Sequence, residues 1–118
     1  MIKGVHAMFY TPKAEACRAF LRDKLRFPFC DVGGGWLIFD PPEADIGCHP
    51  SRKKFHGISF YCDHIKRTVA QLKRRGVRFT TPIKNEGFGL TALFVMPGPF
   101  KVMLYQPLYK KGKRRKVK

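Results

Sequence analysis

Acidic side chains are scarce in this sequence. Its 118 residues hold 8 Asp and Glu against 24 Lys and Arg, a formal net charge of +16. Asp23, Asp31, Asp40, Glu43 and Asp45 fall in helix-end or turn contexts, so no pair of carboxylates is placed for acid–base catalysis. Serine is rarer still. Ser51 and Ser59 are the only two, and neither sits in a G-x-S-x-G nucleophile elbow. The four cysteines (Cys17, Cys30, Cys48, Cys62) are widely spaced and form no C-x-x-C, which favours reduced, mostly buried thiols over a disulfide or metal framework. No apolar run approaches the roughly 20 residues that cross a bilayer. The N-terminus has no basic–apolar–small signal pattern, so a cytoplasmic protein is the expectation. Gly33-Gly34-Gly35 is not followed by a helix carrying Lys and Ser or Thr, and therefore reads as a hairpin turn rather than a phosphate cradle.

What the chain does have is a strand–helix–strand unit. Gly57–Cys62 is rich in β-branched and aromatic residues. Asp63 stands where a helix N-cap would. Ile65, Val69 and Leu72 form one apolar stripe, and Lys66, Arg67, Lys73 and Arg74 take the opposite side. Gly76 supplies a left-handed stop, and residues 77–80 alternate again. A similar unit lies 52 positions upstream, Phe9 matching Tyr61, Thr11 matching Asp63 and Arg26-Phe27 matching Arg78-Phe79. The first copy reads as a strand at 3–10, then a helix capped by Thr11 with Pro12 at its first position. That helix buries Ala14, Cys17, Leu21 and Leu25, with Phe20 at the margin. Strands follow at 27–32, 36–39 and 44–49. The second copy has its helix at 63–75, a loop through Pro82 and Gly87, and strands at 89–96 and 101–106. The fold class predicted is α+β: two tandem βαβββ modules (about 3–50 and 55–107) forming curled mixed sheets around a cavity. Together they make a single domain over 1–109. From Pro107 onward nothing is predicted to pack.

Lys110–Lys118 is a basic tail, expected to be disordered, that holds seven of the basic residues. Without it the chain still carries 17 basic against 8 acidic residues, so the positive field belongs to the domain as well. The tail is suited to nonspecific adhesion to polyanions or nucleic acid. No recognition helix or aromatic RNA platform is evident. No membrane partner is implied.

Two βαβββ modules in this order, with the phrases HAMFYTPKAEACRAFLRD, VGGGWLIFDPP, LKRRGVRF and LYQP, resemble the vicinal oxygen chelate superfamily and in particular its small bacterial members. That group includes glyoxalase I, extradiol dioxygenases and bleomycin-resistance proteins. The resemblance covers about residues 3–107. It implies a ligand cavity in each curled sheet and, as in many members, a homodimer. Metal-dependent members place ligands on the first and last strands of each module, and the positions corresponding here are His6, Gly47, Gly57 and Met103. Only His6 keeps a usual donor, since glycine has none and a thioether suits hard cations poorly. His56 lies one residue from Gly57, on the opposite strand face unless a bulge re-aims it.

Three functions follow as expectations. The first is a small-molecule-binding protein without the usual metal, taking an anionic or neutral aromatic ligand. Among the many strand aromatics and their neighbours, His6, Trp36, Phe60, Phe94, Tyr105 and Gln106 are its candidate contacts, with Tyr10 and Tyr61 as further polar ones. The second is a glyoxalase-like lyase, an isomerase or a dioxygenase with a divalent metal on His6 and His56. In an enzyme, Glu86, in the loop Asn85–Gly89, is the candidate general base. The third is a polyanion-binding accessory protein.

Overall fold

The computed structural model describes residues 6–41, 43–44, 50–53 and 56–109. These divide into two compact units, one holding the described residues up to Gly57 with Met96–Phe100, the other Ile58–Val95 with those from Lys101 on. Among the described residues, two helices and two sheets make the fold small and α+β. Among the described residues no helix is long and apolar enough to cross a membrane.

In the first unit α1 spans Ala14–Asp23. The Thr11 hydroxyl donates to the Gly98 carbonyl (3.1 Å), and its oxygen accepts from the Lys13 N–H (3.1 Å). Thr11 thus caps the turn before the helix, and Pro12 lies outside the helix rather than at its first position. Cys17, Phe20 and Leu21 are buried, so Phe20 is core and not margin. Leu25 is only half-buried because α1 stops at Asp23 and Arg26 turns to φ 57°. Two three-residue strands follow, β1 (Phe29–Asp31) and β2 (Leu37–Phe39), paired antiparallel with Phe29 opposite Phe39. Gly33, Gly34 and Gly35 link them at φ 134°, 60° and 84°, conformations that side chains rarely adopt, which is why three glycines stand in a row. The Asp31 carboxylate accepts from the Gly33 N–H (2.8 Å) and fixes the turn's entry.

The strand predicted at 3–10 is not found in its described part. Residues 6–10 are irregular because their backbone groups join no ladder among the described residues. Most of the strand predicted at 44–49 lies outside the described residues.

The second unit holds β3 (Ser59–Tyr61), α2 (Ile65–Arg74), β4 (Lys84–Asn85) and all but the joined end residues, Met96 and Phe100, of β5 (Gly89–Met96) and β6 (Phe100–Pro107). Its sheet has the order β3-β6-β5-β4. β3 lies parallel to β6, and β5 turns back into β6 through a tight Pro97-Gly98-Pro99 connection. Ile65, Val69 and Leu72 of α2, with Val77 after it, are buried, as are Ala92, Phe94, Val102 and Leu104 of the sheet. These residues form the unit's core. Gly76 ends α2 at φ 86°, and the Val77 N–H returns to the Leu72 carbonyl (3.0 Å). Asp63, expected to cap α2, is exposed, and His64 occupies the N-cap position without a side-chain bond. The Gln106 side-chain carbonyl, 41 residues away, accepts from the Ile65 N–H instead (2.9 Å).

The strand predicted at 77–80 reduces to one bridge, Phe79 to Phe94. Thr80 N–H still donates to the Leu93 carbonyl (2.8 Å), but Leu93 N–H then finds the Thr81 hydroxyl (3.0 Å) where a ladder would offer a carbonyl. Pro82 has no N–H to continue with, and pairing resumes only at β4, inside what reads in sequence as loop.

Candidate functional site

Side chains alternate across a strand, so the four-stranded sheet has two faces. Phe60 pairs in register with Leu104 and its ring stacks on Phe94 (6.4 Å, 19°), with Phe79 tilted against Phe94 (5.6 Å). That is the core face. Ser59 and Tyr61, in register with Met103 and Tyr105, must therefore lie on the other face, with Leu93, Val95 and Lys101. Phe94 is 0% exposed, whereas Tyr61, Leu93, Val95, Met103 and Tyr105 are each half-buried. The first face is core, with Phe60 half-buried on the edge strand, and the other is mostly half-buried, although Thr91, opposite β4, is buried.

Tyr105 is the centre of this second face. Its ring lies 6.2 Å from Tyr61, tilted by 54°, and meets Phe88 edge-on at 6.3 Å. Its hydroxyl sits 3.3 Å from that of Tyr109, and either can donate. Phe88 and Tyr109 remain half-exposed, at 54% and 51%. Such a cluster offers ring faces for stacking and, at the hydroxyl pair, one hydrogen bond to a ligand acceptor. Lys101, exposed on the same face two residues before Met103, adds a positive charge. Nearby, burial raises the Cys62 thiol pKa against the lowering effect of a hydrogen bond with Thr68, so Cys62 stays protonated and unreactive at neutral pH.

The predicted contact residues are distributed unevenly. Tyr61 and Tyr105 come together. Phe60 and Phe94 pack the core face, and Gln106 spends its carbonyl on α2. Trp36 belongs to the first unit, half-exposed, with the Arg18 guanidinium 4.7 Å over its ring beside an open groove of about 430 Å³ lined by Glu15, Arg18, Arg22, Gly35 and Leu37. Tyr10 is 86% exposed. His6 and His56 are exposed, as is Glu86, whose N–H closes the β4–β5 hairpin on the Gly89 carbonyl (2.8 Å). Phe88 and Tyr109 were not anticipated. Residues 108–109 are in fact anchored, Leu108 N–H donating to the Phe88 carbonyl (3.0 Å) and Tyr109 meeting Tyr105. The four-residue spacing of the two tyrosines and the aromatic after Asn85-Glu86-Gly87 were the available signals.

Gly47, one of the four corresponding positions, lies outside the described residues. Among those described, the donors present do not fit a divalent cation. Gly57 offers no donor, Met103 brings a thioether to the tyrosine face, and the described residues contain no group of three or more His, Cys, Asp or Glu able to hold an ion. The described cysteines Cys17, Cys30 and Cys62 are free, but Cys30 is exposed and Cys62 half-buried, so only Cys17 matches the expectation of burial.

Solved structures resemble this chain over most of its length. The antibiotic binding protein TnmS3 from Streptomyces sp. CB03234 is 24% identical, covers 91% of this chain and 99% of its own, and superposes with a TM-score of 0.62. A member of the glyoxalase/bleomycin resistance protein/dioxygenase superfamily from Sphaerobacter thermophilus DSM 20745 is 22% identical, covers 89% and 98%, and gives 0.61. This is the glyoxalase/bleomycin resistance protein/dioxygenase fold. A glyoxalase/bleomycin resistance protein, also from Streptomyces sp. CB03234, shares it at 25% identity, with 81% and 93% covered and a TM-score of 0.56. No family model matches the chain, and neither does any curated protein. The resemblance read from the sequence phrases therefore holds at the level of fold, and in this fold the tyrosine face is the half-buried side of the second unit's sheet.

Proposed function

We propose that this protein binds a small anionic or neutral aromatic molecule on the Tyr61–Tyr105 face, without a metal. The observation that carries the reading is the Tyr61, Tyr105, Phe88 and Tyr109 cluster on the half-buried side of a sheet whose other side is core. A half-buried aromatic patch with one hydroxyl pair suits a flat ring bearing an acceptor. Lys101 and the net charge of +16 disfavour cationic ligands. The likeness to an antibiotic binding protein supports a binding role over catalysis. A curl of the sheet that closes on the ligand belongs to the same proposal.

The test is a fluorescence titration with the anionic aromatic probe 1-anilinonaphthalene-8-sulfonate, in EDTA. Tyr105→Ala and Tyr61→Ala should each weaken binding by about tenfold or more, equivalent to about 1.4 kcal/mol. Tyr105→Phe, which keeps the ring, should cost only a few-fold. Circular dichroism confirms that the variants fold. Affinity unchanged in both alanine variants, or binding lost in EDTA and restored by stoichiometric metal, would refute the proposal.

A further inference from the structure

The exposed side of α2 carries no role in ligand binding, yet its composition is one-sided. Its ten residues, IKRTVAQLKR, contain no acid. Ile65, Val69 and Leu72 hold the helix to the core, and Lys66, Arg67, Lys73 and Arg74 are all exposed. Seven residues are close to two helical turns, so Lys73 lies nearly above Lys66 and Arg74 above Arg67, each about 10 Å further along the axis. Exposed Ala70 falls between the two rows, leaving a low, uninterrupted surface. None of the four cations is ion-paired to a described residue; the pair recorded is Arg22–Asp23, on α1.

We propose that this face docks the phosphate backbone of nucleic acid without reading its sequence. Two pairs of cations about 10 Å apart match about three steps of 3.4 Å along the duplex axis, room for one phosphate per cation. Long cationic side chains bond phosphate oxygens whatever the base. A membrane surface fits less well, because the apolar stripe that would insert is buried in the core. An acidic protein partner fits less well too, because the patch holds no aromatic or large apolar anchor. The proposal is independent of the ligand face, and it assigns to the folded domain a contact that composition alone would assign to Lys110–Lys118.

Fluorescence anisotropy with two labelled duplexes of about 20 base pairs, one A·T-rich and one G·C-rich, tests it on the full chain between about 50 and 200 mM KCl. Both should bind alike. The variant K66Q/R67Q/K73Q/R74Q should lower the slope of log K against log salt by about 3 to 4, at about 0.9 per phosphate contact. The variant K13Q/R52Q/K53Q/K84Q removes the same charge at exposed positions elsewhere and should change the slope by less than about 1. Should the first variant not fold by circular dichroism, K66Q/R67Q and K73Q/R74Q separately should each remove about 2. An unchanged slope in the α2 variants, an equal loss in the control, strong preference for one duplex, or binding of anionic phosphatidylserine vesicles in place of duplex would each overturn it.

Discussion

Gln106 shows how a side chain can be spoken for before any ligand arrives. Its carbonyl accepts from the first N–H of α2 at 2.9 Å, supplying a partner that the helix's own N-cap residue, His64, does not. Gln106→Ala should therefore destabilise the fold by about 1 kcal/mol, measured by urea denaturation, while leaving the affinity for the anilinonaphthalene probe within about twofold. A large loss of affinity with unchanged stability would show that the residue serves a ligand instead. Sequence placed Asp63 at this cap because short polar residues before an apolar stripe are the common solution. A cap that comes from 41 residues away carries no local signature. Phe94 makes the same point. Its strand position was legible, but which of two faces it took depended on Phe60 and Phe79, its neighbours in space.

Among the elements, those with a strong period were readable and those set by pairing were not. The α2 stripe, its Gly76 stop and the long strand β5 at Gly89–Met96 match their sequence patterns closely. The segment 77–85 does not, because its fate depends on how β5's backbone groups are satisfied. There the Thr81 hydroxyl accepts from the Leu93 N–H in place of a ladder carbonyl. Thr81→Val keeps the shape and removes the acceptor, so it should cost about 1 to 2 kcal/mol. Amide hydrogen exchange should speed up at Leu93 and remain slow at Val95, whose N–H donates to the Arg78 carbonyl (3.0 Å). Equal protection of both amides in the variant would mean that the hydroxyl contributes nothing. The anchoring of Leu108 and Tyr109 was hidden for a related reason. Beside a run of lysines and arginines they resemble the start of a solvated tail, and only the positions of Phe88 and Tyr105 in space give them something to hold.

For the molecule as a whole, charge and fold point in separate directions. A net charge of +16 says that anions will gather around the protein but does not say where. The glyoxalase/bleomycin resistance protein/dioxygenase fold supplies the second unit's half-buried sheet face, on which Tyr105 is ringed by Tyr61, Phe88 and Tyr109. An anionic aromatic probe separates the two influences, because it is drawn by the basic helix α2 and by the tyrosines alike, yet only the tyrosines can stack on its rings. The decisive measurement is therefore a map of backbone amide shifts, taken as anilinonaphthalene sulfonate is added to isotope-labelled protein in EDTA at moderate salt. The account predicts saturable shifts centred on Ser59, Tyr61, Leu93, Met103 and Tyr105. Shifts confined to Lys66–Arg74, or to Arg18 and Trp36, would contradict it.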